Sequence, residues 1–155
     1  LIELGTHAGS GADAYLSASP GAEYTGIDQF PEGIRHEATG APWEPYAIAS
    51  ALLSDRRFSF RLIRADLREL RNRPAEADMV VVDAAHDVDN EYRDLQLALS
   101  ANPQWIFVDD AVDRKNAGAA IARFLEHDLK DRLEFTVPID YIEGGLVIRL
   151  RAQAG

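Results

Sequence analysis

Apolar positions along the 155-residue chain follow two alternating patterns, short unbroken runs and stripes at helical spacing. The clearest run is Met79-Val-Val-Val82, whose β-branched residues are typical of a strand buried on both faces. The clearest stripe predicts a helix over 88–100 and consists of Val88, Tyr92, Leu95 and Leu99. Strands that alternate with helices in this way predict a parallel sheet built from βαβ units, and therefore an α/β fold.

The same patterns, applied to the whole chain, predict seven strands and five helices. The strands are predicted at 1–4, 23–27, 58–63, 79–82, 105–108, 133–138 and 146–150. The helices are predicted at 10–17, 44–54, 67–73, 88–100 and 113–129. A short connection through Gly144-Gly145 implies that the last two strands are antiparallel. The longest irregular stretch, 29–45, is predicted to be a functional loop, with a variable surface connection as the alternative.

The first predicted strand ends in a glycine turn, Gly5-Thr-His-Ala-Gly9, which leads into a helix. A strand, a glycine turn and a helix N-terminus together form a site for a nucleotide-like ligand. The spacing G-x-x-x-G does not meet the G-x-G-x-x-G dinucleotide fingerprint, so a simple turn is the alternative. Asp28 ends the next strand, 23 residues after Gly5, where an acid can accept the ribose hydroxyls of a nucleoside.

Acidic residues end four of the predicted strands: Asp28, Asp66, Asp83 and the pair Asp109-Asp110. Because the carboxyl ends of parallel strands share one edge of the sheet, these acids are expected to converge on one crevice. Asp66 would accept a hydrogen bond from an adenine amino group, with Leu67 packing on the ring, or would instead cap the helix that starts at Leu67.

A divalent cation would explain three carboxylates on adjacent strands. Asp83, Asp109 and Asp110 match the oxygen ligands that Mg²⁺ prefers. The alternative is that Asp110 caps the following helix and Asp109 faces solvent. Asp87, Asp89 and Glu91 are expected to complement the N-terminal dipole of the helix at 88–100.

Two histidines lie close to these acids in the sequence. His86 follows Asp83 by three residues, where a neutral imidazole could accept a proton near pH 7; a surface histidine is the alternative. His7, inside the glycine turn, is expected to shape the cofactor pocket.

The amino-acid composition restricts which classes of partner the protein is expected to bind. The net charge of −10 argues against nucleic acid and anionic membrane, both of which favour clustered Lys and Arg. No cysteine is present, which excludes disulfides and thiolate metal sites and fits a cytoplasmic location. The length suits a single domain over 1–155, and because Leu1 already lies in a strand pattern we expect a further N-terminal segment. The sequence leaves open whether the protein forms a homo-oligomer.

Four segments together resemble the class I S-adenosylmethionine-dependent methyltransferases. They are Glu3-Leu-Gly-Thr-His-Ala-Gly9, Gly26-Ile-Asp28, Asp83-Ala-Ala-His86 and Val108-Asp-Asp110. The sequence is most similar to small-molecule O-methyltransferases with an E-x-G-T-x-x-G first motif and a later D-x-x-H. That group includes macrocin-type and rhamnosyl-type sugar O-methyltransferases and cephalosporin hydroxylase-like proteins.

This resemblance implies a Rossmann-like, mostly parallel seven-stranded sheet with an antiparallel last strand. It implies methyl transfer from S-adenosylmethionine to a hydroxyl of a small molecule such as a sugar or secondary metabolite, assisted by Mg²⁺ on Asp83, Asp109 and Asp110. His86 and Asp83 would be the catalytic residues. The cofactor would contact Glu3, Gly5, Thr6, His7, Gly9, Ser10, Asp28, Gln29, Asp66, Leu67 and Asp83.

Two other classes of protein compete with this interpretation. A nicotinamide-dependent oxidoreductase would use the same strand, glycine turn and Asp28, although the missing G-x-G-x-x-G and the acid pair after the fifth strand argue against it. A non-catalytic ligand-binding domain of methyltransferase ancestry is the other alternative.

Overall fold

A seven-stranded sheet forms the centre of the computed structural model, which describes residues 1–35, 39–70, 74–84, 87–111, 117–140 and 144–152. The strands are β1 (Ile2–Leu4), β2 (Tyr24–Asp28), β5 (Phe60–Arg64), β6 (Met79–Val82), β7 (Trp105–Val108), β8 (Leu133–Ile139) and β9 (Gly145–Leu150). Their order across the sheet is β5-β2-β1-β6-β7-β9-β8. Strand β9 is antiparallel to both of its neighbours, and the other pairings are parallel. The predicted sheet is therefore confirmed.

Among the described residues, four α-helices connect these strands: α1 (Ser10–Ala18), α2 (Pro45–Asp55), α3 (Val88–Ser100) and α4 (Ala117–His127). Helix α3 begins at the predicted residue because Asp87 caps it, its carboxylate accepting a hydrogen bond from the backbone N–H of Asn90 at 3.1 Å. No described helix is both long enough and apolar enough to cross a bilayer.

Helices cover both faces of the sheet. Ile2 and Leu4 of β1 belong to a large apolar cluster with residues of α3 and α4, while a second cluster joins α1, α2 and β2. Because successive side chains of a strand point to opposite faces, Glu3 between them points to the other side, toward Tyr24. The run Val80–Val82 is wholly buried, as expected for a central strand.

Two predicted segments differ from the structure. The stretch 29–45 is not irregular throughout, because it contains a two-stranded antiparallel ribbon of β3 (Ile34–Arg35) and β4 (Pro42–Trp43). Of the helix predicted over 67–73, residues 67–70 are described and contain a single 3₁₀ turn, Leu67–Glu69, while 71–73 lie outside the described residues. Short polar segments before a proline give weak helical signals, and here the Asp66 cap supports only one turn.

The order of the strands creates a crevice. Strand β1 lies between β2 and β6, so the chain leaves β1 toward one side of the sheet and later returns to the other. At such a switch point the connections after neighbouring strands diverge, which opens a space at their carboxyl ends. The glycine turn follows β1, Asp28 ends β2 and Asp83 follows β6.

Candidate functional site

The glycine turn passes directly over the end of β6. Gly5 has φ +95°, and a Cβ added there would lie 2.0 Å from the carbonyl oxygen of Asp83. Its N–H donates to the carbonyl of Ile27 at 2.9 Å, which holds the turn between β2 and β6. Only glycine allows this approach. The turn predicted from sequence is therefore a structural requirement of the crevice.

A cavity of about 400 Å³ lies under this turn. Seven of the residues predicted to contact a cofactor line it: Gly5, His7, Asp28, Gln29, Asp66, Leu67 and Asp83. The other lining residues are Pro31, Arg68, Ala84, Asp87, Asn90 and Asp94. The carboxyl ends of β1, β2, β5 and β6 thus meet at one site, as predicted from Asp28, Asp66 and Asp83, whereas Asp109 and Asp110 are not among the lining residues.

Two backbone amides hold the carboxylate of Asp28. The N–H of His7 donates to Oδ2 and the N–H of Phe30 donates to Oδ1, each at 2.8 Å. His7 and Phe30 both have left-handed backbone angles, φ 46° and 45°, which few residues of their type adopt. These bonds fix the orientation of the Asp28 carboxyl group at the cavity wall while each oxygen keeps a lone pair for a ligand hydroxyl.

The ribbon of β3 and β4 lies beside the glycine turn. The indole Nε1 of Trp43 is 3.5 Å from Nε2 of His7, and the two rings are 6.1 Å apart. Behind the ribbon, the buried ring of Phe30 packs edge-on against Tyr46 of α2. The segment predicted to be a functional loop therefore flanks the candidate site.

Glu3 and Thr6 are buried and are not among the residues that line the cavity. Glu3 is 1% exposed and accepts a hydrogen bond from the hydroxyl of Tyr24, which lies 3.1 Å from Thr6 Oγ1. Burial raises the pKa of Glu3 to about 7. Gly26 leaves room for this network, because a Cβ there would lie 2.3 Å from Thr6 Oγ1. The network supports the glycine turn from below.

Gly9 and Ser10 also lie away from the cavity lining. Gly9 has φ +83° at the start of α1, and a Cβ added there would lie 3.1 Å from the Cβ of Ala49 on α2. Its role in this structure is close packing of two helices. Ser10 is exposed at the first position of α1. Contact of Glu3, Thr6, Gly9 and Ser10 with a cofactor stays a prediction.

Asp66 is already engaged by its own neighbour. Its carboxylate accepts from the backbone N–H and from Nε of Arg68, both at 2.9 Å, and from Nη2 at 2.5 Å. These hydrogen bonds lower the pKa of Asp66 to about 2. The capping alternative considered from sequence is thus observed, although Asp66 and Leu67 still line the cavity.

The three carboxylates predicted to bind Mg²⁺ are not gathered into one site. Asp83 lines the cavity, whereas Asp109 accepts from the backbone N–H of Asp110 at 3.0 Å and Asp110 is only 8% exposed. Within the described ranges, no group of three or more His, Asp or Glu side chains is arranged to hold a metal ion. The described residues therefore do not fit a preformed metal site. His86, the predicted base, lies outside the described residues.

Helix α3 contributes a wall that the sequence interpretation missed. Asp87, Asn90 and Asp94 line the cavity, and Glu91 and Asp94 are 5% and 3% exposed. Glu91 was expected to complement the helix dipole, but it is buried because it falls on the apolar stripe, between Val88 and Leu95. Burial raises the pKa of Glu91 to about 8 and that of Asp94 to about 7. The sequence signal for this wall is the presence of acidic residues within the apolar stripe of the helix.

The charge of the described cavity wall is strongly negative. Four carboxylates, together with the carboxyl group of Asp94 whose pKa is raised, face one guanidinium, that of Arg68, and this guanidinium is paired with Asp66. A wall of this kind favours a ligand that carries positive charge and hydroxyl or amino donors.

Comparison with known proteins shows which solved structures share this fold. No protein-family model and no curated protein matches the sequence. A solved structure from Staphylococcus aureus, of a protein assigned as a caffeoyl-CoA O-methyltransferase, is similar over 96% of this chain and 74% of its own, at 17% identity and TM-score 0.63. The SAH-bound methyltransferase PaMTH1 of Podospora anserina is similar over 97% of this chain and 70% of its own, at 16% identity and TM-score 0.64.

A protein from Nostoc punctiforme assigned as an O-methyltransferase matches 97% of this chain and 51% of its own, at 14% identity and TM-score 0.65. At these identities the likeness establishes the fold. The chain has the Rossmann-like fold of class I methyltransferases, which confirms the predicted fold class. The sugar and macrocin subgroup stays a prediction.

Proposed function

We propose that this chain is an S-adenosylmethionine-dependent methyltransferase that methylates an oxygen of a small hydroxylated molecule. The observation that carries the proposal is Asp28, held by two backbone amides at the wall of an acidic cavity at the sheet's switch point. A carboxylate so placed accepts ribose hydroxyls. The surrounding acids suit the cationic sulfonium, and the SAH-bound fold neighbour supports the same class of ligand.

Each wall of the cavity has a part in this proposal. Asp28 would hold the ribose, Gly5 would let the ligand approach the backbone, and Asp83 would accept hydrogen bonds from the ammonium group of the methionine portion. The bound sulfonium supplies an activated methyl group, so the protein mainly positions two reactants and excludes water.

Proton removal is the second requirement. As the acceptor oxygen forms its bond to the methyl carbon, the sulfur–carbon bond breaks and the hydroxyl proton must leave. His86 stays the proposed acceptor of that proton, on the basis of its place in D-x-x-H. Assistance by Mg²⁺ stays a prediction from the order of acids in the sequence, and we derive no step from it.

The partner class follows from the cavity. A volume of about 400 Å³ lies within the range of small-molecule sites, roughly 300–1,000 Å³. With a net charge of −10, we propose that neither nucleic acid nor membrane is a substrate.

Calorimetric titration tests the proposal. S-adenosylmethionine and S-adenosylhomocysteine should bind, NAD should not, and Asp28→Ala should abolish the heat while the exposed control Asp131→Ala retains it. Binding of NAD alone would instead favour the oxidoreductase, and a separate Mg²⁺ titration with Asp109→Ala examines the metal. Binding of S-adenosylmethionine without turnover of any hydroxylated acceptor would favour a non-catalytic binding domain.

A further inference from the structure

One buried acid on the cavity wall has no role in the reaction described above. Asp94 lies on the second turn of α3, is 3% exposed and lines the cavity. Across the described part of the chain, no hydrogen bond or ion pair reaches its carboxyl group. A ligand that fills the cavity would displace the water that solvates this carboxyl group, which is costly unless the ligand supplies a hydrogen-bond partner. Its exposure to the cavity indicates that a ligand supplies the missing partner.

Asp94 lies at the end of the cavity that contains the 3₁₀ turn. Helix α3 packs against this turn, and the charge of Asp66 raises the pKa of Asp94. Leu67, at the start of the turn, lines the same cavity and offers an apolar surface for a planar ring. If Asp28 binds the ribose, the base attached to it lies within this end of the cavity.

Asp66, the residue that the sequence suggested for binding the base, already forms hydrogen bonds to Arg68. Three donors of Arg68 occupy both of its oxygens. A ligand amino group would have to compete with a charged bidentate partner. Asp94 has no such competitor.

We propose that Asp94 recognises the adenine base by hydrogen bonding to its amino edge. This inference rests on the proposed function, since it presumes an adenosine-containing ligand. The edge presents an N–H donor on the exocyclic nitrogen next to the acceptor N1. A protonated carboxyl group matches it, with one oxygen that accepts and one O–H that donates.

The surroundings of Asp94 raise the pKa of its carboxyl group to about 7, so the protonated form is well populated near neutral pH. Burial is the main cause of this rise; Arg93 lowers the pKa, and the charges of Asp87 and Asp66 raise it. The charged or titratable groups near it come from its own helix, the 3₁₀ turn and the end of β6: Asp87, Glu91, Arg93, Asp66, Arg68 and Asp83. An ionised Asp94 would place a second acceptor against N1, so the ligand should bind more weakly as pH rises.

The decisive experiment compares S-adenosylhomocysteine with the analogue whose purine lacks the amino group. Wild-type protein should bind the analogue about 10-fold more weakly, because a buried acceptor loses its donor. In Asp94→Leu both ligands should bind equally and weakly. In Asp66→Leu the preference for the amino group should persist, as in the exposed control Asp131→Asn. The ratio of two affinities within one variant is insensitive to general destabilisation.

Each other outcome overturns the inference in a distinguishable way. A preference that survives in Asp94→Leu, or disappears in Asp66→Leu, would show that Asp94 is not the recognising residue while the proposed function stands. Failure of wild-type protein to bind S-adenosylhomocysteine would overturn both. If Asp94→Leu does not fold, Asp94→Asn serves instead, since an amide keeps one donor and one acceptor. The affinity of Asp94→Asn for S-adenosylhomocysteine should not change between about pH 6 and about pH 8.5, whereas the affinity of the wild-type protein should fall. An equal decrease in affinity for both proteins would contradict the inference.

Discussion

Acidic side chains have opposite environments on the two walls of the cavity, the one formed by the ends of the strands and the one formed by helix α3. On the strand wall, Asp28 receives two backbone N–H bonds and is held in place before any ligand arrives. On the helix wall, Asp94 lines the cavity, and Glu91 lies buried on the same helix; among the described residues neither carboxyl receives such bonds, and the pKa values of both are raised. Backbone donors are available where the chain turns after β2, whereas the N–H groups within a helix are already used. A turn can therefore hold a charged carboxylate, but a helix interior favours the neutral acid.

The strand wall should be the more fragile of the two. Gly5→Ala places a Cβ against the backbone of Asp83 at a positive φ, so we expect a loss of about 3 kcal/mol or more in the free energy of unfolding, or no folded protein. Urea denaturation measures it. Gly21→Ala is the matched control, because a Cβ there meets nothing within 4 Å. Equal stability of the two variants would show that the turn is not fixed by this contact.

Replacing the held acid should chiefly affect ligand affinity. Asp28→Asn puts an amide N–H group where one backbone donor needs an acceptor, and it removes the charge that binds the ribose. We expect S-adenosylhomocysteine to bind about 30-fold more weakly. Calorimetry would measure the change, with Asp131→Asn as the control. Unchanged affinity would exclude Asp28 as the ribose residue.

The helix wall should make the protein less stable as pH rises. The pKa of Glu91 is raised from 4.5 to about 8, so the folded state binds a proton that the unfolded state has lost. Stability from this group should therefore fall between about pH 4.5 and pH 8. Glu91→Gln should remove part of that fall and add about 1 kcal/mol at the alkaline end. Denaturation at several pH values, with exposed Glu126→Gln as the control, measures it; parallel profiles would contradict the expectation.

The smallest change in stability is expected from breaking the ion pair between Arg68 and Asp66. Arg68 and Asp66 lie at the surface, where water screens their attraction. Arg68→Ala should leave the thermal unfolding midpoint within error of wild type. A clear decrease would mean that this pair stabilises the 3₁₀ turn more strongly than its exposure suggests.

Much of the fold could be predicted because the local patterns agree with it. Met79–Val82, Trp105–Val108 and helix Val88–Ser100 begin and end where their apolar patterns do. The ribbon in 29–45 was missed, since two-residue strands leave no periodicity. The site was predicted where acids end strands, at Asp28, Asp66 and Asp83.

The sequence by itself determined which strands exist, that they are mostly parallel, and that Gly5 and the strand-end acids share one edge, because these follow from local periodicity and from the geometry of parallel sheets. Only the tertiary structure decided how each acid is solvated. It gave Asp28 two backbone donors, occupied Asp66 with Arg68, separated Asp109 and Asp110 from the cavity lining, and buried Asp94 in its wall. The protonation and partners of a carboxyl group depend on atoms distant in sequence, so no local pattern specifies them.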